Sequence, residues 1–205
     1  MKMKRLIITL LILMAAGCAG GRPPQATEYY LLDYRPPALE AVAGLDSFLR
    51  VERFTVAQLY NSNTMTYMTG PFSLHTYPYE RWRANPADLV TDCLSRDFRS
   101  AGIFRAVFSY RDPEPVRFSL EGNVMEFGEI AENGNRKAAL SLSVTLLDGS
   151  RKEILQRVVF QKKYAYAAPC EEQGPGGLAR GLSAAMTQLS RQIMGDVYDA
   201  VKKLP

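Results

Sequence analysis

Few side chains in this 205-residue chain could carry acid–base or covalent chemistry, and most stand apart from one another. His75 is the lone histidine. It sits on the opposite parity to Phe72 and Leu74 in an extended stretch, which makes it a solvent-facing strand residue. An imidazole working as a general acid or base needs a nucleophile or carboxylate within hydrogen-bond reach, and its sequence neighbours supply none. One histidine and no Cys-x-x-Cys pair remove the usual transition-metal spacings, and Glu171-Glu172 reads as solvated loop charge. Gly174-Pro175-Gly176-Gly177 precedes a helical pattern, where phosphate loops lie. It lacks the Gly-Lys-Ser/Thr ending that brings an ammonium and a hydroxyl to a phosphate. Gly-x-Ser-x-Gly is absent as well, and the basic pairs Arg151-Lys152 and Lys162-Lys163 read as wet strand residues. The expectation is a protein without catalytic residues, metal or cofactor.

Cysteine is the exception. The chain begins Met-Lys-Met-Lys-Arg and continues from Leu6 to Ala16 without a charge, the layout of a secretory signal. As a helix the apolar run would span roughly 16 Å, against the ~20 residues a bilayer core requires. Ala15-Ala16-Gly17-Cys18 closes the run with small residues and resembles a bacterial lipobox, after which Cys18 becomes the lipid-modified first residue. Ala15 stands where such motifs usually carry Leu; an ordinary secretory signal cut nearby would leave Cys18 a spare thiol. Ala19 replaces the Asp of inner-membrane retention signals, which by the same resemblance favours the outer membrane, with the domain in the periplasm. The expected organisation is a signal peptide over 1–17, a lipidated tether over 18–28 of linker-like Gly/Pro composition, and one domain over 29–205.

Loss of the signal changes the charge balance. The whole chain carries 25 Lys+Arg against 21 Asp+Glu. Lys2, Lys4 and Arg5 leave with the signal, so the mature chain is nearly neutral, and the basic pI gives no reason to expect a nucleic-acid partner. Cys93 and Cys170 remain. An oxidising compartment permits a bridge between them, and closing a loop of that length would stabilise by roughly 4–5 kcal/mol. The alternative is two separate thiols, with Cys93 packed as a small hydrophobe on a helix.

Tyr77, Tyr79 and Trp82, with Arg81 and Arg83, make the densest aromatic and cationic cluster. Such residues dominate binding hot spots, so they form the candidate partner interface; the competing reading is that they cover an open end of the core.

The elements around these residues follow from periodicity. Tyr29 to Leu32 suits a strand, and Leu49 and Val51 alternate with polar residues in a second that ends near Val56. Met65 to Tyr67, Phe72 to Tyr77 and Ile103 to Tyr110 are further extended stretches. Asn85-Pro86 opens a helix as cap and first residue, with Leu89, Val90, Cys93, Leu94 and Phe98 on its apolar side. Phe118, Leu120 and Val124 share one face of a strand, with Gly122 as a candidate bulge. Leu140, Leu142, Val144 and Leu146 alternate with Ser141, Ser143 and Thr145, as in a strand with one wet face. Asp148-Gly149 marks a hairpin turn, and Ile154, Val158, Phe160 and Tyr164 share a face on the returning strand. From Leu178 a stripe runs through Leu182, Met186, Leu189, Ile193, Val197 and Val201. Together these predict an α+β domain: a mixed, mostly antiparallel sheet with helices near 86–101 and 177–203 packed on one face.

In this order the motifs resemble the ABC-type transport auxiliary lipoproteins. The resemblance rests on Tyr29-Tyr30-Leu31-Leu32 soon after the lipobox and on Tyr77-x-x-x-Arg81-Trp82-x-x-x-Pro86 before an amphipathic helix. Gly102-Ile103-Phe104, Phe118-x-Leu120-x-Gly122-x-Val124, the serine-alternating strand and Ala184-Ala185 in the last helix continue it over nearly the whole mature chain. It implies a non-enzymatic role beside MCE-domain proteins, which carry lipid between two membranes with an ABC permease and often an ATPase. The lipoprotein would hold or help assemble the periplasmic conduit at the outer membrane, and some members form homo-oligomeric rings. A periplasmic carrier that itself binds a lipid is the alternative, and would need an apolar cavity between sheet and helix.

Overall fold

The computed structural model describes residues 25–39, 43–70, 72–132 and 135–205; the signal peptide and Cys18 lie outside the described residues. One mixed sheet is built from β1 (Glu28–Tyr30), β2 (Leu45–Val51), β3 (Thr55–Val56), β4 (Thr64–Gly70), β5 (Ser73–Trp82), β6 (Phe104–Ser109), β7 (Phe118–Glu132), β8 (Asn135–Asp148) and β9 (Val158–Pro169). The α-helices are α1 (Pro86–Ala101), the short α2 (Ile154–Arg157) and α3 (Pro175–Lys202), and a 3-10 turn spans Gln58–Tyr60. The expected α+β class is the one observed.

The long pairings are antiparallel: β7 with β8, β8 with β9, and β4 with β5. The short ones are parallel. One edge of β7 is shared by β2 at Leu49↔Phe118, β3 at Val56↔Val124 and β4 at Tyr67↔Glu129. The other edge belongs to β8 alone. The bulge in β7 lies at Met125, where the register with β8 shifts between Val124 and Glu126. Gly122 was the sequence candidate for it, but it stays in register. It is glycine because a Cβ there would lie 2.5 Å from the Phe54 ring and 2.4 Å from the Ser143 carbonyl oxygen.

Helix α1 begins where local chemistry dictates. The Asn85 side-chain oxygen accepts from the Ala87 N–H at 3.0 Å, Pro86 needs no partner in the first turn, and Gly102 ends the helix at φ 63°, a conformation that disfavours a Cβ. Val90, Leu94 and Phe98, four apart, are fully buried. In α3, Leu178, Leu182, Met186, Leu189, Ile193 and Val197 are fully buried against the sheet. Each stabilises by about 1.5–3 kcal/mol relative to exposure. Gly181 lets α3 come down onto β8: a Cβ there would lie 2.6 Å from that of Ala138.

Two further expectations are corrected. Ser141 and Thr145 are buried rather than wet. Strand β8 lies between β7 and β9, so its short side chains are shaded by longer neighbours: Ser141 pairs with Glu126, and Thr145 lies between Glu121 and Gln161. Ile154 is not on the returning strand. Residues 149–157 form a longer connection that includes α2, and Ile154 and Leu155 are exposed there.

Candidate functional site

Strand β5 and Arg83, the residue after it, carry the aromatic and cationic cluster, and strand alternation divides it. Trp82 points inward and is 1% exposed, its ring set edge-on to Phe127 at 5.1 Å. It is therefore core, and the sequence reading of Trp82 as a surface anchor is corrected. Tyr77 is half-buried; its hydroxyl donates to Glu129 at 3.2 Å and its ring packs on Tyr67 at 4.7 Å. Burial and the Glu129 carboxylate together raise the Tyr77 pKa. The Arg81 guanidinium donates to the backbone carbonyls of Tyr77, Pro78 and Glu80 and so braces its own strand. Tyr79 and Arg83 stay exposed, with Arg83 over the Tyr29 ring at 5.6 Å. The surface left for a partner is thus Tyr29, Tyr79 and Arg83 along the β1–β5 edge.

His75 is exposed, as expected. Its Nε2 lies 2.8 Å from Ser73 Oγ and 3.1 Å from Thr69 Oγ1, and its ring stacks on Tyr67. Cys93 and Cys170 are free thiols in different surroundings. Cys93 lies on α1 beside Tyr34 and Arg96; Cys170 follows β9 near Glu129 and Arg136. Burial pushes both thiols up to about 11. Both are unbridged in the structure, the second of the two alternatives the sequence left open.

Three buried carboxylates escaped the sequence reading. Glu129 pairs with Arg136 at 2.8 Å and accepts from Tyr77. Asp97 accepts from the Tyr34 hydroxyl at 2.6 Å, while Arg96 pairs with it and stacks on the Tyr34 ring. Asp148 binds Arg117. Each carboxylate already has a cation, as burial of charge demands, so these are structural clamps.

A groove of 630 Å³ opens on the sheet face away from α3, between Arg53, Tyr110, Glu121, Asn123, Thr145 and Gln161. Arg53 is already engaged by Asp88 through two bonds of 2.6 and 3.0 Å. What remains is a field of hydroxyl, amide and carboxylate groups able to hydrogen-bond a polar surface, with neither histidine nor cysteine in its lining. Among the described residues no cluster of three His, Cys, Asp or Glu could hold a metal ion, and no described helix is long and apolar enough to cross a membrane.

The fold is shared with other proteins of solved structure. Protein XCC0632 from Xanthomonas campestris superposes with a TM-score of 0.78 at 21% identity, over 86% of this chain and 98% of that one. The hypothetical protein CT253 from Chlamydia trachomatis gives 0.50 at 10% identity, over 77% and 98%. A search of curated proteins finds no match. Residues 30–194, from the end of β1 to far along α3, match the family model described as the ABC-type transport auxiliary lipoprotein component, and the chain belongs to that family.

Proposed function

We infer that this auxiliary lipoprotein is anchored through Cys18 to the outer membrane, and that its periplasmic domain holds or assembles the conduit of an MCE-type intermembrane lipid transport system. The observation that carries the reading is the family match across nearly the whole domain, in a chain whose lipobox-like Cys18 stands ten residues before β1. A bracing role suits the domain: Leu182, Met186, Leu189 and Ile193 are fully buried between sheet and helix, in the place a carried acyl chain would need. The exposed β1–β5 edge and the polar groove across β7 and β8 are the surfaces available to an MCE-domain protein or to the permease.

The test is a detergent pull-down of the native protein from its host after mild crosslinking, beside a Cys18→Ser variant, with partners identified by mass spectrometry. Recovery of an MCE-domain protein with the wild type is expected, and its loss from the variant would tie the association to anchoring. A wild-type sample that captures no MCE-domain protein removes the transport assignment at the level of partner.

A further inference from the structure

We propose that the hairpin of β4 and β5, tipped by Phe72, rests on the membrane surface to which the chain is anchored. Four observations converge on it. From Thr55 to Tyr79 the sequence contains no Asp, Glu, Lys or Arg, although 22% of the chain is charged. A segment that meets lipid has no charge to desolvate, whereas charged side chains in the hydrocarbon are costly. Within it Tyr67 lies opposite His75 near the hairpin end, and tyrosine is enriched where bilayer meets water.

The hairpin end also stands free of the sheet. Leu74, His75 and Thr76 are all exposed, so both faces of the strand are in solvent there. Phe72 at the turn is fully exposed. Polar groups gather on one side, where His75 bonds both Ser73 and Thr69. Leu74 lies opposite Met68 on the next pair of the ladder.

The register of β1 then decides which way the hairpin points. Strand β1 runs parallel to β5 with Glu28 opposite Glu80. The chain therefore enters the domain from the side of the hairpin tip. Seven residues separate Glu80 from Ser73, so the tip overhangs Glu28 by about 23 Å at 3.3 Å per residue. The ten residues from Cys18 to Glu28 reach at most about 36 Å. An anchor reached from that side over so short a stretch leaves the overhanging tip facing the lipid. The loop bearing Ile154 and Leu155 lies beyond the Phe118↔Asp148 end of the sheet, at the opposite pole.

The proposal rests on the Cys18 anchoring reading, and the experiment separates the two. The lipidated full chain is placed in phosphatidylethanolamine–phosphatidylglycerol vesicles with plain or brominated acyl chains. Trp82, the sole tryptophan, is buried and gives a constant background. A Phe72→Trp reporter, at a fully exposed position, is expected to show blue-shifted emission that the brominated lipid quenches, while Leu155→Trp stays unquenched. If Phe72→Trp is unquenched in protein that floats with the vesicles through Cys18, the hairpin contact is wrong and anchoring stands. If a Cys18→Ser chain floats as well as the wild type, the anchoring fails. A concentration-dependent blue shift without lipid would assign the hairpin to a contact between protein copies and overturn the proposal.

Discussion

Arg117 closes the sheet onto Asp148 in a two-pronged contact, its Nε and Nη2 donating to the two carboxylate oxygens at 3.1 and 3.0 Å. Ser150 adds its N–H and hydroxyl to Oδ1 at 3.0 and 2.6 Å. The Asp148 side chain is 1% exposed, so these bonds replace its water.

The Arg117 guanidinium, first among these partners, holds the Asp148 carboxyl down at about 2. A carboxyl with a depressed folded pKa stabilises the protein above its unfolded value of about 3.9 and loses that contribution as pH falls toward the folded one. Asp148→Asn is expected to lower unfolding stability by roughly 2 kcal/mol at pH 7. In urea titrations from pH 7 to pH 2, the gap between wild type and variant should narrow below pH 4. A gap that stays constant would show that the bond geometry, rather than the ionised carboxylate, is what stabilises.

Replacing Trp82 tests the division of the aromatic cluster. Trp82→Ala is expected to cost about 3–5 kcal/mol of folding stability, as for other large core residues. Trp82→Phe should cost less and leave partner capture intact. Denaturation followed by circular dichroism measures the first, and the pull-down measures the second. A Trp82→Phe chain that folds normally but loses its partner would return the residue to the interface.

Gly122→Ala probes the close approach of Phe54. The added methyl meets the buried Phe54 ring and the Ser143 carbonyl at 2.5 and 2.4 Å, and forced repacking of this kind costs about 1–3 kcal/mol. The denaturation midpoint should fall with an unchanged m-value. An unaltered midpoint would mean that Phe54 can move aside.

The two domain thiols should titrate as free groups. With both pKa values raised to about 11 by burial, only about one thiol in a thousand is ionised at pH 8. Native alkylation of a Cys18→Ser chain should be slow, and faster at half-buried Cys170 than at buried Cys93. Denaturation should expose two equivalents. A chain that yields none until reduced contains the bridge after all.

The strength of local signals explains how much of the fold was legible. The limits of helix α1 are legible because Asn85, Pro86 and Gly102 each act within one turn of the chain. The apolar stripe of α3 and the alternation of β8 were equally plain, since periodicity requires only neighbours. Gly174, Gly176 and Gly177 blur the start of α3, which periodicity marks near 177 and the structure sets at Pro175. The candidate site was less legible: Trp82 and Arg83 are adjacent, and composition alone could not say which of them faces the core.

By itself, then, the sequence determined the two long helices, the apolar faces of β7 and β8 and the lipobox-like Cys18, all of which depend on residues within a turn or two of one another. Only the tertiary structure decided what lay between distant segments. Tyr34 meets Asp97 across 63 residues, Tyr77 meets Glu129 across 52, and Arg117 meets Asp148 across 31. Three short strands share one edge of β7, and a parallel β1 points the chain's entry toward Phe72. Such pairings depend on which strand edges and buried charges remain unmatched once the core has closed, and hydrophobic periodicity carries no record of that.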